Sequence, residues 1–266
     1  MGTNLKHESS GLNPEQLPFV APCKRIETLA PFHWLKLGYL DFTIAPRESA
    51  TYGAIITLFV YLLAFLAYEY GSLPFLLALG SGVMFLGPVL AFGLYSISRQ
   101  IGMGLHPKLG YCLNEGKRHM GNELVFAIML LVVFLLWARA ASVVHIFFPN
   151  QTDAGFQDYL LYLTVGTSVG AVFSLLIFTA SAFSLPMFMD RKVDVITAVV
   201  TSFNAVLRNK KAMVVWAAII VVAMLIGMAT AFIGLVVILP IIGHATWHGY
   251  KAVIDASDWP EHEDIN

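Results

Sequence analysis

His244 and His248, four residues apart near the end of a 266-residue chain, are the residues whose type and spacing point most directly to chemistry. One turn of helix separates them, so both imidazoles can face the same way and could hold a metal ion or a haem iron. No carboxylate of the kind that orients a metal-bound imidazole is evident nearby. Trp247, Tyr250 and Lys251 adjoin them. Polar-tipped rings beside a cation also form an interfacial belt where a span leaves a bilayer, and that is the favoured reading. No cofactor is therefore expected, and metal or haem at His244 and His248 is the alternative.

Arg139 is the other candidate, about two-thirds of the way along a long apolar run. An arginine at such depth costs about 3 kcal/mol on insertion scales and normally needs an acidic partner or a water-filled cavity. Glu69, Asp153 and Asp158 are the acids placed to pair with it. No HExxH, GxSxG or phosphate loop occurs, so no catalytic residue is assigned and no enzyme is expected. The remaining acids fall at span ends or beyond, as Glu123 and Asp190 do, which leaves no intramembrane carboxylate for a proton relay. Cys23 and Cys112 lack a CxxC partner and lie on one side of the membrane, against both a metal site and a disulfide.

The elements that position these residues follow from composition. Hydrophobic residues make up 58% of the chain and charged residues 12%, about half the ~25% usual in soluble proteins. Several uncharged runs approach the ~20 residues needed to cross a bilayer. The chain is read as an all-α, polytopic membrane protein of six transmembrane helices, arranged as three repeats of an interfacial amphipathic helix and two spans. Residues 1–30 form a mobile polar tail. Unit one covers 31–104, with spans at 51–68 and 73–97. Unit two covers 105–192, with spans at 122–148 and 158–187. Unit three covers 193–251, with spans at 212–230 and 231–250, and 252–266 is an acidic tail. In the first unit Leu37, Leu40 and Ile44 make the apolar stripe, with Trp34 at headgroup level. In the third the stripe is Val193, Ile196, Val200, Phe203 and Leu207. The uncharged stretch from Ala212 to Tyr250 is too long for one crossing and must turn near Gly227–Thr230.

Packing signals recur within the spans. Gly166 and Gly170 have the spacing that lets helices approach closely, read here as an internal contact. Pro88, Pro186 and Pro240 each fall inside or near the end of a returning span, where proline kinks a helix and frees a carbonyl. Of the sixteen lysines and arginines all but Arg139 lie in tails or inter-unit segments. That asymmetry places both termini and the amphipathic helices in the cytoplasm, as expected of a multi-pass protein of a bacterial inner membrane.

Three stretches carry a family resemblance: Pro31-Phe32-His33-Trp34-Leu35 with Asp41 and Pro46; Gly87-Pro88 with Gly93-Leu94-Tyr95; and Pro240 to His248, PIIGHATWH. Over about residues 25–255 the chain resembles a bacterial family of integral membrane proteins without assigned function, some labelled as cytochrome c oxidase subunits. The resemblance supplies no catalytic or binding residues. A haem–copper catalytic subunit has several histidines deep in its spans, and this chain does not. Elimination favours an accessory, assembly or scaffold component whose expected partners are the lipid bilayer and other integral membrane subunits, with no nucleic acid. A small-solute or lipid channel or carrier is the second reading, and a metal- or haem-binding membrane protein the third.

Overall fold

The computed structural model describes residues 18–70, 87–147 and 155–262. Most of the expected 73–97 span and the loop carrying Asp153 lie outside these residues. The regular structure is α-helical: α1 (Ala30–Ile44), α2 (Pro46–Tyr70), α3 (Phe92–Gly102), α4 (Leu109–Phe147), α5 (Phe156–Ser181), α6 (Ser184–Asp190), α7 (Val195–Arg208), α8 (Lys210–Ala229) and α9 (Leu235–Val253). Among the described residues, four stretches are long and apolar enough to cross a membrane: Pro46–Leu66, Leu124–Val144, Phe156–Asp190 across α5 and α6, and Lys210–Ala229. The chain is therefore a multi-pass integral membrane protein. At 19 residues α9 is not among those four; it is the helix against which α1, α2 and α3 pack.

The interfacial helices differ from expectation. In α1 the buried residues are Pro31, Trp34, Gly38 and Asp41, whereas Leu40 and Ile44 are 44% and 61% exposed. Trp34 is enclosed rather than at headgroup level, with its ring edge-on to Trp216 at 5.7 Å and to Phe183 at 6.4 Å. In α7 the expected stripe is split: Ile196 and Leu207 are exposed and Val193 is buried, and the inward face holds Val195, Val199 and Val206 beside Thr201, Ser202 and Ala205. Lipid solvates a leucine as well as a protein interior does, so small and hydrogen-bonding residues can take helix contacts alongside apolar ones. In unit two no separate helix exists: α4 runs unbroken for 39 residues, through the expected amphipathic segment into the span.

The chain reverses between α8 and α9 at Thr230–Gly234, a few residues later than expected. Ala231 and Phe232 are both left-handed there, with φ of 50° and 66°. That conformation disfavours residues with a Cβ. It is held by hydrogen bonds from Phe232 N to the Gly227 carbonyl (2.9 Å) and from Gly234 N to Thr230 Oγ1 (2.9 Å), and by the Tyr61 hydroxyl, which donates to the Ala231 carbonyl. This end of the bundle is termed the turn end.

At the opposite end, the base, the described parts of the tails, residues 18–29 and 254–262, are built into the structure. Ala21 N donates to Thr201 Oγ1 (3.0 Å), and Asn209 bonds both Ile26 N and the Lys24 carbonyl at 3.0 Å. Lys24 N bonds the Val253 carbonyl at 2.8 Å, and Asp255 N the Pro22 carbonyl at 2.9 Å, so the two terminal segments pair with each other. Trp259 is buried, and Lys192 N bonds the Pro260 carbonyl at 2.9 Å. Cys23 is enclosed here, and burial pushes its thiol up.

The three prolines have three outcomes. Pro240 lies within α9. Pro186 sits in the first turn of α6, just after the break at Ala182–Phe183, where a missing N–H does no harm. Pro88 lies four residues before α3 begins.

Candidate functional site

The site begins with a close crossing. A Cβ on Gly38 would lie 2.5 Å from the Ile241 carbonyl oxygen and 2.6 Å from Ala245 N, so α1 rests backbone-on-backbone against α9. Three residues further along the same face of α1, Asp41 is turned into the bundle and left only 5% exposed. A carboxylate so placed needs full hydrogen bonding, and it has two donors. His248 Nε2 lies 2.9 Å from Asp41 Oδ2, and Ser98 Oγ, from α3, donates to the same oxygen at 2.7 Å.

The network continues inward. Ser98 Oγ is 2.8 Å from His244 Nδ1, and Ser49 Oγ, in the first turn of α2, is 3.0 Å from His244 Nε2. Ser49 and His244 are fully buried and Ser98 nearly so. The protons can be assigned by counting. A hydroxyl has one proton, and Ser98 gives its own to the Asp41 carboxylate. A His244 ring protonated at Nδ1 completes this arrangement, donating to Ser98 and accepting from Ser49 at Nε2. Four helices thus contribute to one ordered series: Ser49, His244, Ser98, Asp41, His248.

This geometry corrects two expectations. His244, Trp247 and Tyr250 are 0%, 5% and 0% exposed, so they are core residues and not an interfacial belt. The missing acid is present too: Asp41 lies 207 residues from His248 in sequence and 2.9 Å from it in space. Both ring nitrogens of His244 face serine hydroxyls, and a metal there would have to break those bonds. Among the described residues no group of three or more His, Cys, Asp or Glu is arranged to hold a metal ion.

A second cluster lies toward the base. Asp190, at the end of α6, accepts from the Tyr250 hydroxyl at 2.7 Å and from Lys251 Nζ at 3.1 Å, with Arg191 Nε at 3.3 Å. Arg191 also donates to the Trp259 carbonyl at 3.0 Å and meets Glu261 at 2.9 Å. Two cations around one poorly exposed carboxylate fasten the C-terminal segment to α6 and α9.

The remaining candidates lie apart from both clusters. Arg139 is exposed on α4 and has no ion-pair partner among the described residues; Asp158 instead bonds Gly155 N at 2.9 Å. A Cβ on Gly166 or Gly170 would meet nothing within 4 Å among the described residues, and much of the expected 73–97 span lies outside them.

Residues 75–190 match the model of a family described as predicted integral membrane protein (DUF2189). No curated protein and no solved structure matches the chain. The matched segment is narrower than the resemblance over residues 25–255, and its description assigns no activity. Ser98, Arg139, Gly166, Gly170 and Asp190 fall within it, while Asp41, Ser49, His244 and His248 flank it. The cluster therefore joins the family segment to sequence on either side.

Asp41, Ser49 and Ser98 were missed by sequence reasoning. One signal was available: Trp34, Gly38, Asp41 and Ala45 follow each other at three- and four-residue spacing, a single helix face holding the smallest residue and the acid.

Proposed function

We propose that the chain is a non-catalytic accessory, assembly or scaffold component that docks another integral membrane protein on α4 and α5. The observation that carries this is the poor cover of those helices. Only 11% of the apolar stretch of α4 and 6% of that of α5–α6 is buried, against 22% for α2 and for α8. The same pair displays Arg139 in an apolar helix and Gly166 and Gly170 with nothing against them among the described residues. Helices associate in lipid by close packing at small residues and by polar pairing, not by hydrophobic expulsion. The occupant is accordingly a helix with a carboxylate near the level of Arg139. The oxidase labels in the resembled family make a respiratory complex the first to test.

In this reading the chain has six spans in three parallel repeats, in a bacterial cytoplasmic membrane with both termini inside. The basic asymmetry supports that orientation. Cysteines introduced at Asn150 should react with an impermeant thiol reagent added to intact cells, and at Thr28, exposed at the base, only after lysis. Labelling at Thr28 in intact cells would overturn it. Docking is tested by extraction in mild detergent and native gels. The wild-type chain should migrate with a second membrane protein, and Gly166→Leu should release it without lowering the chain's own melting temperature. A wild-type chain that always runs alone ends the docking reading.

A further inference from the structure

A buried asparagine ties two basic segments together at the base. Asn209 stands between α7 and α8, and its side chain makes three hydrogen bonds. Its Oδ1 accepts from Ile26 N at 3.0 Å, while its Nδ2 donates to the Lys24 carbonyl at 3.0 Å and to the Ala205 carbonyl at 3.1 Å. The N-terminal segment is thereby fixed across the α7–α8 corner, although Ile26 and Asn209 are 183 residues apart in sequence. The two clamped backbone groups flank Arg25. The clamping residue itself lies between Arg208 and Lys210, with Lys211 next. Arg25, Arg208, Lys210 and Lys211 are all exposed, so four cations share one corner.

Their charge is not cancelled within the chain. None of the four has an ion-pair partner among the described residues. No Asp or Glu occurs from Val195 to Tyr250, and Glu27 is the one acid between Pro18 and Leu29. Lys24 differs, because its charge acts on the Asp255 carboxyl, which is held down first by its bonds from Ser257. Burial raises the Cys23 thiol, and Asn204 and the Arg208 charge oppose that rise, which puts Arg208 beside the clamped segment. Like charges gathered in this way repel, and an anion among them relieves the repulsion.

The level of the corner says which anion. The membrane-crossing stretch of α8 begins at Lys210 itself, so the four cations stand where a span enters the headgroups. Phe19, Leu29 and Leu207, in the same two segments, are each more than half exposed. Cations beside exposed apolar side chains suit a ligand that is charged at one end and oily at the other. We propose that this corner binds the phosphodiester headgroup of an anionic phospholipid in the leaflet at the base. The guanidinium groups of Arg25 and Arg208 supply the paired donors that a phosphate accepts, and Lys210 and Lys211 add point charges. Asn209 positions them, because it holds the Arg25 segment against the helix corner. The assignment is independent of what docks on α4 and α5.

The test is lipid retention by the purified full chain. Protein in mild detergent is equilibrated with equal amounts of phosphatidylglycerol and phosphatidylcholine, passed through a sizing column, and its retained lipids are counted by native mass spectrometry. Wild type should retain phosphatidylglycerol over phosphatidylcholine by about tenfold, and the variant R25Q/R208Q/K210Q/K211Q should show no preference. Arg25→Lys with Arg208→Lys keeps the charge and should keep most of the preference. Lys36→Gln with Arg47→Gln removes exposed cations from α1 and α2 and should leave it unchanged. Inorganic phosphate in excess should displace little of the lipid; full displacement would make the corner a soluble-anion site and overturn the lipid assignment. Melting curves identify any variant that fails to fold, and R25Q/R208Q and K210Q/K211Q then replace the fourfold change, each expected to weaken the preference. Equal retention of the two lipids by wild type overturns the proposal. So does a folded variant lacking these charges that keeps the preference, and so does an equal loss on changing Lys36 and Arg47.

Discussion

Gly38 and Gly53, where α1 and α2 meet α9, and Gly166 and Gly170 on α5 are the same residue placed in opposite surroundings. At Gly38 and Gly53 an added Cβ would collide with backbone or proline atoms; at Gly166 and Gly170 it would touch nothing within 4 Å among the described residues. The first pair has no GxxxG spacing, and the second does. What separates them is the neighbouring helix. α9 has Pro240 and its freed carbonyl at the α2 contact and a hydrogen-bonded histidine beside α1, so close approach there brings polar groups together as well as surfaces. α5 offers small residues with no such polar group facing them among the described residues. A glycine motif marks a place where helices can approach, and the partner's chemistry decides whether they do so within the chain.

The largest expected effect comes from filling the tighter contact. Gly38→Leu places its Cβ against the α9 backbone whatever rotamer it adopts, and overpacking of this kind costs about 1–3 kcal/mol, or more where backbone must move. The variant should lose cooperative melting in detergent; melting like wild type would show that α1 and α9 do not cross here. An intermediate effect is expected for Asp41→Asn. It keeps the shape but takes the charged acceptor from Ser98 and His248, a loss of about 2 kcal/mol by the usual scale for charge-assisted bonds. A fall in melting temperature smaller than that of Gly38→Leu is the expected reading, and no fall would separate the cluster from stability. The smallest effect belongs to Gly166→Leu in the isolated chain, within about 0.5 kcal/mol of wild type as for an open surface position. A large loss there would mean that α5 is packed against its own chain and would erase the contrast.

The sequence made the helical, membrane-spanning character plain, because uncharged runs of sufficient length have few other uses. It also gave the α8–α9 reversal to within a few residues, since one helix from Ala212 to Tyr250 would overshoot the bilayer. It misled on which face of α1, and in part of α7, turns inward. Leu37, Leu40 and Ile44 form the apolar stripe that a soluble helix would bury, yet in lipid that stripe can face outward and the Gly38–Asp41 face packs instead. His244 and His248 were legible as a pair, and their partners were not. Asp41, Ser49 and Ser98 come from three other helices, and no local pattern encodes a bond across 207 residues.

That separation has a consequence for how the protein is made. α1 is synthesised near the start and α9 near the end, so Asp41 precedes His248 by 207 residues. At about 5–20 residues per second, the interval is roughly 10–40 s. Through that time Asp41 has neither histidine to meet, and an unpaired carboxylate is not stable in hydrocarbon. α1 must therefore remain where water can reach Asp41 while α2 to α8 are inserted. Only when α9 emerges can it close onto its final place, and the pairing of Lys24 with Val253 and of Asp255 with Pro22 closes with it. A nascent chain truncated before Leu235 would hold all of α1 and none of α9, the helix that makes most of its contacts.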